Sequence, residues 1–430
     1  MKFGFKTNPP KKIAQFIWFY CSQIKLTLFS VFLLKFLEVI MDLAVPVIFG
    51  YIISRIIEVG DVQLIIKDIE RNGDKALLKY VKKFENSKAQ IKDIVFSKKQ
   101  LANAYQSLSL KDKRALKLAH QRIYFYHLKQ IRKSYSFRDQ EDSKFHIQWN
   151  PIENVGLYVP GGMASYPSTV LMTSIPAKIA KVPNVMMCVP SQNGKTSTLT
   201  LAAAHLSGVD KVFNVGGAQA IAAYAFGTKT IQKADKVFGP GNQFVAEAKK
   251  QLFGTIGIDL PAGPSEVLVI ANNKSNPSWV ALDILAQAEH DINAKTYVVS
   301  RSRDILQKIK NAIAVKLKNL PLQNVKHSIG NNCFLIHAKN EKEIYEISNF
   351  IAPEHLHIHS KFNKSLLKNI IHAGSVFVGE KAPVALGDYT IGTNHVLPTD
   401  QTARFSSGLS VDDFVKKTVF IEAGNKTLKK

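Results

Sequence analysis

The chain is 430 residues long with 46% apolar content, enough for two or three domains with sizeable cores. Its 57 Lys and Arg against 33 Asp and Glu give a formal charge of +24, but the excess is spread-out Lys without an arginine-rich block or nucleic-acid motif, which argues against a nucleic-acid partner. Cys21, Cys188 and Cys333 are too far apart for a disulfide framework or a cysteine metal cluster, and fit a reducing compartment.

Residues 1–60 read as a hydrophobic helical segment. Phe16 to Ile57 is strongly apolar, yet Lys25, Lys35, Glu38 and Asp42 interrupt it, leaving uncharged runs of 9 and 12 residues. A membrane-spanning helix needs about 18 or more. The segment is too long for a secretory signal and lacks a small-residue cleavage pattern. From Pro9-Pro-Lys-Lys12 through Asp42-Leu-Ala-Val-Pro-Val-Ile-Phe-Gly50 to Arg55, residues 9–57 resemble the elbow helix and first membrane helix of an ABC exporter. The plain alternative is a hydrophobic helix pair packing on the rest of the chain or on a partner. A single span with Lys2, Lys6, Lys11 and Lys12 kept inside would export everything that follows. Membrane contact through residues 13–57 is therefore expected as a hairpin or a peripheral anchor, with the remainder cytoplasmic.

From Asp61 the pattern is that of an α/β enzyme. Ile65, Ile69, Leu77, Leu78, Val81 and Phe84 recur at helical spacing around Arg71-Asn-Gly73, which divides them into two helices, and Gln100 to Ile131 continues helical. After about His146, short β-rich runs alternate with small-residue helices: Val185–Val189 then Leu199–Leu206, Lys211–Val215 then Ala218–Phe226, Lys236–Phe238 then Gln243–Leu252. A second series of strands is expected at Glu266–Ile270, Thr296–Val299, Cys333–Ile336 and Ser375–Val378. This alternation predicts βαβ units and two Rossmann-like domains with parallel-type sheets.

Neither series carries G-x-G-x-x-G, so dinucleotide binding has no fingerprint here. Gly161-Gly162, Gly216-Gly217 and Gly239-Pro-Gly241 follow predicted strands, and their spacing divides evenly between tight turns and cofactor contacts. Gly194-Lys-Thr-Ser197 ends like a phosphate-binding loop, but position 189 is Val where that loop needs glycine, so it reads as a turn before a helix.

Three distant segments carry the chemistry: Gln287-Ala-Glu-His290, Pro353-Glu-His-Leu356 and Gly387-Asp-Tyr389. Gln287 and His290, three apart on a predicted helix from Val280 to Glu289, emerge on one face and can share an ion, with Asp388 as a third ligand. Such donors suit Zn²⁺ with a position left open for substrate; taken alone, Gln287 and His290 read equally as a helix-surface pair making ordinary hydrogen bonds. Glu354 and His355 offer an acid and a base on a loop after Pro353, or merely cap a helix beginning there.

The stretch from about Asp61 to about Val419 resembles histidinol dehydrogenase. The resemblance is carried by Val155-Gly-Leu-Tyr-Val-Pro-Gly-Gly162, Phe213-Asn-Val-Gly-Gly-Ala-Gln-Ala-Ile221, Phe238-Gly-Pro-Gly-Asn242, Asp259-Leu-Pro-Ala-Gly-Pro-Ser-Glu-Val-Leu-Val269, the three segments above and Gly392-Thr-Asn-His-Val-Leu-Pro398. It implies oxidation of histidinol to histidine with two NAD and a Zn²⁺ ion in a homodimer. It also implies a smaller NAD-binding domain, 156–267, inserted in a larger one, 61–155 plus 268–409, with 410–430 as a C-terminal segment. Tyr158, Gln219 and Asn242 match NAD-contacting positions; Gln287, His290 and Asp388 match metal ligands that also face substrate; Ser265 and His355 match substrate contacts. His355 becomes the general base, Glu354 the group that activates water, and His395 a supporting residue.

Family members continue some thirty residues or more beyond the position of Val419, with a Glu for substrate and a His for zinc that reach across the dimer. Neither is placed to match in Phe420-Ile-Glu-Ala-Gly-Asn-Lys-Thr-Leu-Lys-Lys430, so a weakened ion site and dimer are expected. Two other readings accompany the dehydrogenase: a related zinc and NAD enzyme for another alcohol, such as a sulfopropanediol dehydrogenase, and a non-catalytic remnant.

Overall fold

The computed structural model describes residues 60–424 and 427, apart from 162–165, 192–193, 261–262, 319, 321–322 and 360–363. The expected helical segment, exporter resemblance and membrane contact of residues 1–59 lie outside the described residues. Among the described residues, no helix is long and apolar enough to cross a membrane.

Among the described residues, fourteen strands form three sheets. In chain order they are β1 (Val95–Phe96), β2 (Tyr135–Arg138), β3 (Lys144–Pro151), β4 (Asn154–Tyr158), β5 (Asn184–Cys188), β6 (Lys211–Phe213), β7 (Lys236–Phe238), β8 (Gly257–Ile258), β9 (Glu266–Ala271), β10 (Lys295–Ser300), β11 (Cys333–His337), β12 (His355–His359), β13 (Ser375–Val378) and β14 (Val415–Glu422). The first sheet has the order β1-β6-β5-β4-β7-β8, parallel except for β1; the second, β11-β10-β9-β12-β13, is parallel throughout. Both follow the doubly wound pattern in which the chain starts centrally and winds outward to each side. Helices cover both faces of each, which is why central strands such as Val267 to Ile270 are apolar on both sides.

The sequence reading groups 61–155 with the second sheet. The structure packs the helix Asp74–Phe84 and β1 against the first sheet instead, where Leu77 and Val81 join Phe213, Ile221 and Tyr224 in one cluster. The helical run expected over Gln100 to Ile131 is two helices, Lys98–Ser107 and Leu110–Leu128, parted at Ser109, whose hydroxyl caps the second. The third sheet, antiparallel β14-β3-β2, was not anticipated; residues 410–430 supply its edge strand. Its strands are largely exposed and show no clean alternation of buried and open positions, so periodicity gives no signal.

Pro176 lies inside the helix Pro167–Ile179 and has no N–H to offer the Met172 carbonyl. Asn394 Nδ2 donates to that carbonyl at 2.8 Å and meets His127 Nε2 at 3.2 Å, in a spot where Asn394 is 6% exposed. This fixes the Gly392-Thr-Asn-His motif against the first sheet's helices. Replacing Asn394 by Leu strands a buried carbonyl and should lower unfolding free energy by about 1–3 kcal/mol, measured by urea denaturation, whereas an unchanged midpoint would show that the bond does not matter.

Candidate active site

Strands β9 and β12 are neighbours and start level, with His355 opposite Val267. That register gathers the residues just ahead of both strands. The Glu354 carboxyl accepts from the Glu266 N–H at 2.9 Å, and His355 Nδ1 lies 3.3 Å from the Glu266 carbonyl oxygen. A carbonyl only accepts, so Nδ1 carries the hydrogen and Nε2 presents a lone pair. The expected loop or helix cap is therefore corrected: His355 opens a central strand, and one peptide unit holds both side chains. The cause is the parallel pairing of strands distant in sequence.

Glu354 and His355 are each 6% exposed. Burial pushes the Glu354 carboxyl up to about 8, with the Glu266 N–H opposing and the carboxylates of Glu266 and Asp388 adding. Burial also holds the His355 imidazole down to about 4, the Glu266 carbonyl opposing and the charges of His290 and His395 assisting. Their 3.6 Å approach is thus a largely neutral acid beside a neutral base at pH 7, not an ion pair. The Ser265 hydroxyl also bonds to Glu354.

The helix Pro277–Ala288 connects parallel strands β9 and β10, so its last turn returns to this same edge. Gln287 lies in that turn, 4% exposed, and its amide makes no hydrogen bond among the described residues. The helix, expected over Val280 to Glu289, starts earlier and stops one residue sooner, at Ala288, but His290 continues its turn through a 3.3 Å bond from its N–H to Gln287 O. Asp388 stands on the short helix Ala385–Tyr389 after β13. Burial raises its carboxyl while His290 draws it down; His355 and His395 also feel the His290 charge. Glu354, His355, His290, Asp388 and His395 thus share one electrostatic neighbourhood.

Among the described residues no three His, Cys, Asp or Glu side chains converge as an ion site. The set Gln287, His290 and Asp388 has only two such groups, completed by an amide. That Gln287, a residue 4% exposed, makes no side-chain hydrogen bond among the described residues is the unusual feature, since polar groups of buried residues are ordinarily satisfied. Amide oxygen, imidazole nitrogen and carboxylate fit a borderline ion such as Zn²⁺.

The other candidates lie at the carboxyl edge of the first sheet, at β4, β6 and β7. Tyr158 ends β4 and its phenol oxygen accepts from Gly217 N–H at 3.0 Å. Gln219 is 2% exposed beside it, and exposed Asn242 caps the helix Gln243–Leu252 after β7. A methyl group at Gly216 would meet Pro190 at 2.3 Å and one at Gly239 the Tyr158 carbonyl at 2.0 Å, so chain packing demands both glycines. A residue missed in sequence, Glu85, accepts from Ser191 N–H at 3.0 Å and Gly216 N–H at 2.8 Å, and burial raises its carboxyl. Its acceptance, with that of Tyr158, takes up two leading N–H groups of the helix Gly217–Phe226 that a pyrophosphate would use in a standard dinucleotide fold.

The chain matches a family model described as histidinol dehydrogenase over residues 55–430. Histidinol dehydrogenases from Hydrogenovibrio crunogenus and Acinetobacter baylyi are 44% and 43% identical to it, with 83% and 86% of each chain covered. The crystal structure of histidinol dehydrogenase from Elizabethkingia anophelis matches with a TM-score of 0.82 at 38% identity, covering 86% of both chains.

The loop before Asn242 is held by a buried ion pair. Lys249 Nζ donates to Asp259 Oδ1 at 2.5 Å and to Gly239 O at 2.6 Å, while Asp259 Oδ2 accepts from Gly239 N–H at 2.6 Å. With side chains 3% and 8% exposed, removing one charge leaves the other buried and alone. Lys249→Met should destabilise the fold by about 3–5 kcal/mol in a denaturant titration; a loss below about 1 kcal/mol would contradict the pairing.

Proposed function

The chain belongs to the histidinol dehydrogenase family, and from that premise we propose that it oxidises L-histidinol through the aldehyde to L-histidine, reducing two NAD, with Glu354 and His355 as its acid–base pair. The observation that carries the reading is the joint seating of these two side chains on the Glu266 peptide, within the electrostatic reach of His290 and Asp388.

Gln287, His290 and Asp388 are the protein groups that would hold Zn²⁺. Bound there, the ion would supply orientation of the substrate. Ser265 and His355 line the substrate, and Tyr158, Gln219 and Asn242 receive the cofactor. In the first half-reaction His355 takes the hydroxyl proton on Nε2 as hydride leaves the carbon for the nicotinamide ring. In the second, Glu354 as carboxylate takes a proton from water as it adds to the aldehyde, and a second hydride leaves. In sum, one alcohol, one water and two NAD⁺ give one carboxylate, two NADH and three protons. The same reading takes the active assembly to be a homodimer.

A base must be ionised to act, so raising Glu354 moves the alkaline-going rise of aldehyde oxidation from near pH 4.5 to about pH 8. Purified full-length protein supplied with Zn²⁺, histidinol and NAD should form two NADH per histidine, and sediment at twice its 47.9 kDa chain mass. Glu354→Gln should yield one NADH and trappable aldehyde, losing the limb near pH 8, with aldehyde oxidation slowed roughly 10²- to 10⁴-fold. No NADH from the zinc-loaded parent protein would refute the reading, and an unaltered pH limb in the variant would refute the assignment of Glu354.

A further inference from the structure

Asp283 and His357 have no part in the chemistry above, yet between them they connect the three segments that bear the proposed ion ligands and the acid–base pair. His357 lies two residues after His355 on β12, so both rings emerge on the same face of the sheet. Its Nδ1 meets Asp283 Oδ2 at 2.5 Å, and its Nε2 donates to the carbonyl of Gly379, just beyond β13, at 3.0 Å. The other Asp283 oxygen accepts from Val384 N–H at 3.4 Å, and Val384 leads into the short helix that bears Asp388. Asp283 itself stands one turn before Gln287 on the helix Pro277–Ala288. The two side chains are buried, 6% and 1% exposed.

A polar pair at such depth adds little stability over well-packed apolar side chains of the same size. Its geometric content is greater. One hydrogen-bonded unit joins the helix that carries Gln287 and leads to His290, the strand that opens at His355 just after Glu354, and the approach to Asp388. We propose that Asp283 and His357 are positioning residues, whose buried pair keeps the three segments of the divalent-ion site in register with the acid–base pair. This rests on the reading of Gln287, His290 and Asp388 as ligands of one ion.

The test compares full-length parent protein with Asp283→Asn, His357→Gln, the apolar double replacement Asp283→Leu with His357→Phe, and Ile284→Val as a packing control on the same helix. Each is titrated with Zn²⁺ against a chromophoric chelator, and thermal unfolding and NAD binding are recorded on the same samples. The single polar variants should bind Zn²⁺ roughly 10- to 100-fold more weakly, the usual effect of removing support behind a metal ligand, with NAD affinity kept. The double variant should recover thermal stability but not ion affinity, and decides the matter if a single variant does not fold. Ile284→Val should lower the melting temperature without changing Zn²⁺ binding. Parental Zn²⁺ affinity in a folded polar or double variant, or an equal loss in Ile284→Val, overturns the proposal. Parent protein that binds no Zn²⁺ overturns the ligand reading, and the proposal with it.

Discussion

The peptide of Glu266 is the point on which the site depends. Its N–H and carbonyl lie at the start of β9, and each meets a side chain from the start of β12. Glu354 takes the donor and His355 the acceptor, which sets the ring's tautomer and turns Nε2 outward. Because both groups are buried at a strand end, each is biased to its uncharged form, and a neutral base arises beside an acid poised near 8. Slippage of β12 by one residue would place Leu356 where His355 stands and abolish the arrangement.

The topology ties the candidate cofactor edge to the candidate catalytic edge. In doubly wound sheets ligands ordinarily gather at the carboxyl ends of strands. The candidate cofactor residues Tyr158, Gln219 and Asn242 stand at such ends of the first sheet, whereas the proposed acid–base pair stands at the amino ends of β9 and β12 in the second. Only residues 259–265 separate β8 from β9, a reach of at most about 25 Å. The carboxyl edge of one sheet is thereby tied to the amino edge of the next, and Gly263 N–H bonding to Thr399 Oγ1 at 2.6 Å strengthens the seam.

Much of this was legible in the chain because βαβ units have strong local patterns. The strands Lys236–Phe238 and Ser375–Val378 and the helix Gln243–Leu252 have the bounds that periodicity gives. The strand β12 was not legible: His355-Leu-His-Ile-His359 alternates like a half-exposed strand, but its histidines are buried, His357 meeting Asp283 of a helix and His355 the Glu266 carbonyl of β9, both far away in sequence. Glu85 was invisible for the same reason, its backbone donors being 106 and 131 residues distant. Resemblance named Gln287, His290 and Asp388, but periodicity could not bring Asp388 to the other two. Nor could it have singled out Asp283, whose role depends on Val384 and His357.

The neutral, Nδ1-protonated state of His355 is the most exposed consequence of this account. Ring-nitrogen NMR of ¹⁵N-histidine-labelled protein, with His355 assigned by comparison with His355→Gln, measures it directly. The ring should stay neutral with hydrogen on Nδ1 as pH falls to about 5, because burial holds its ionisation near 4. A ring that gains a proton near pH 6.5, or that carries its hydrogen on Nε2, would contradict it.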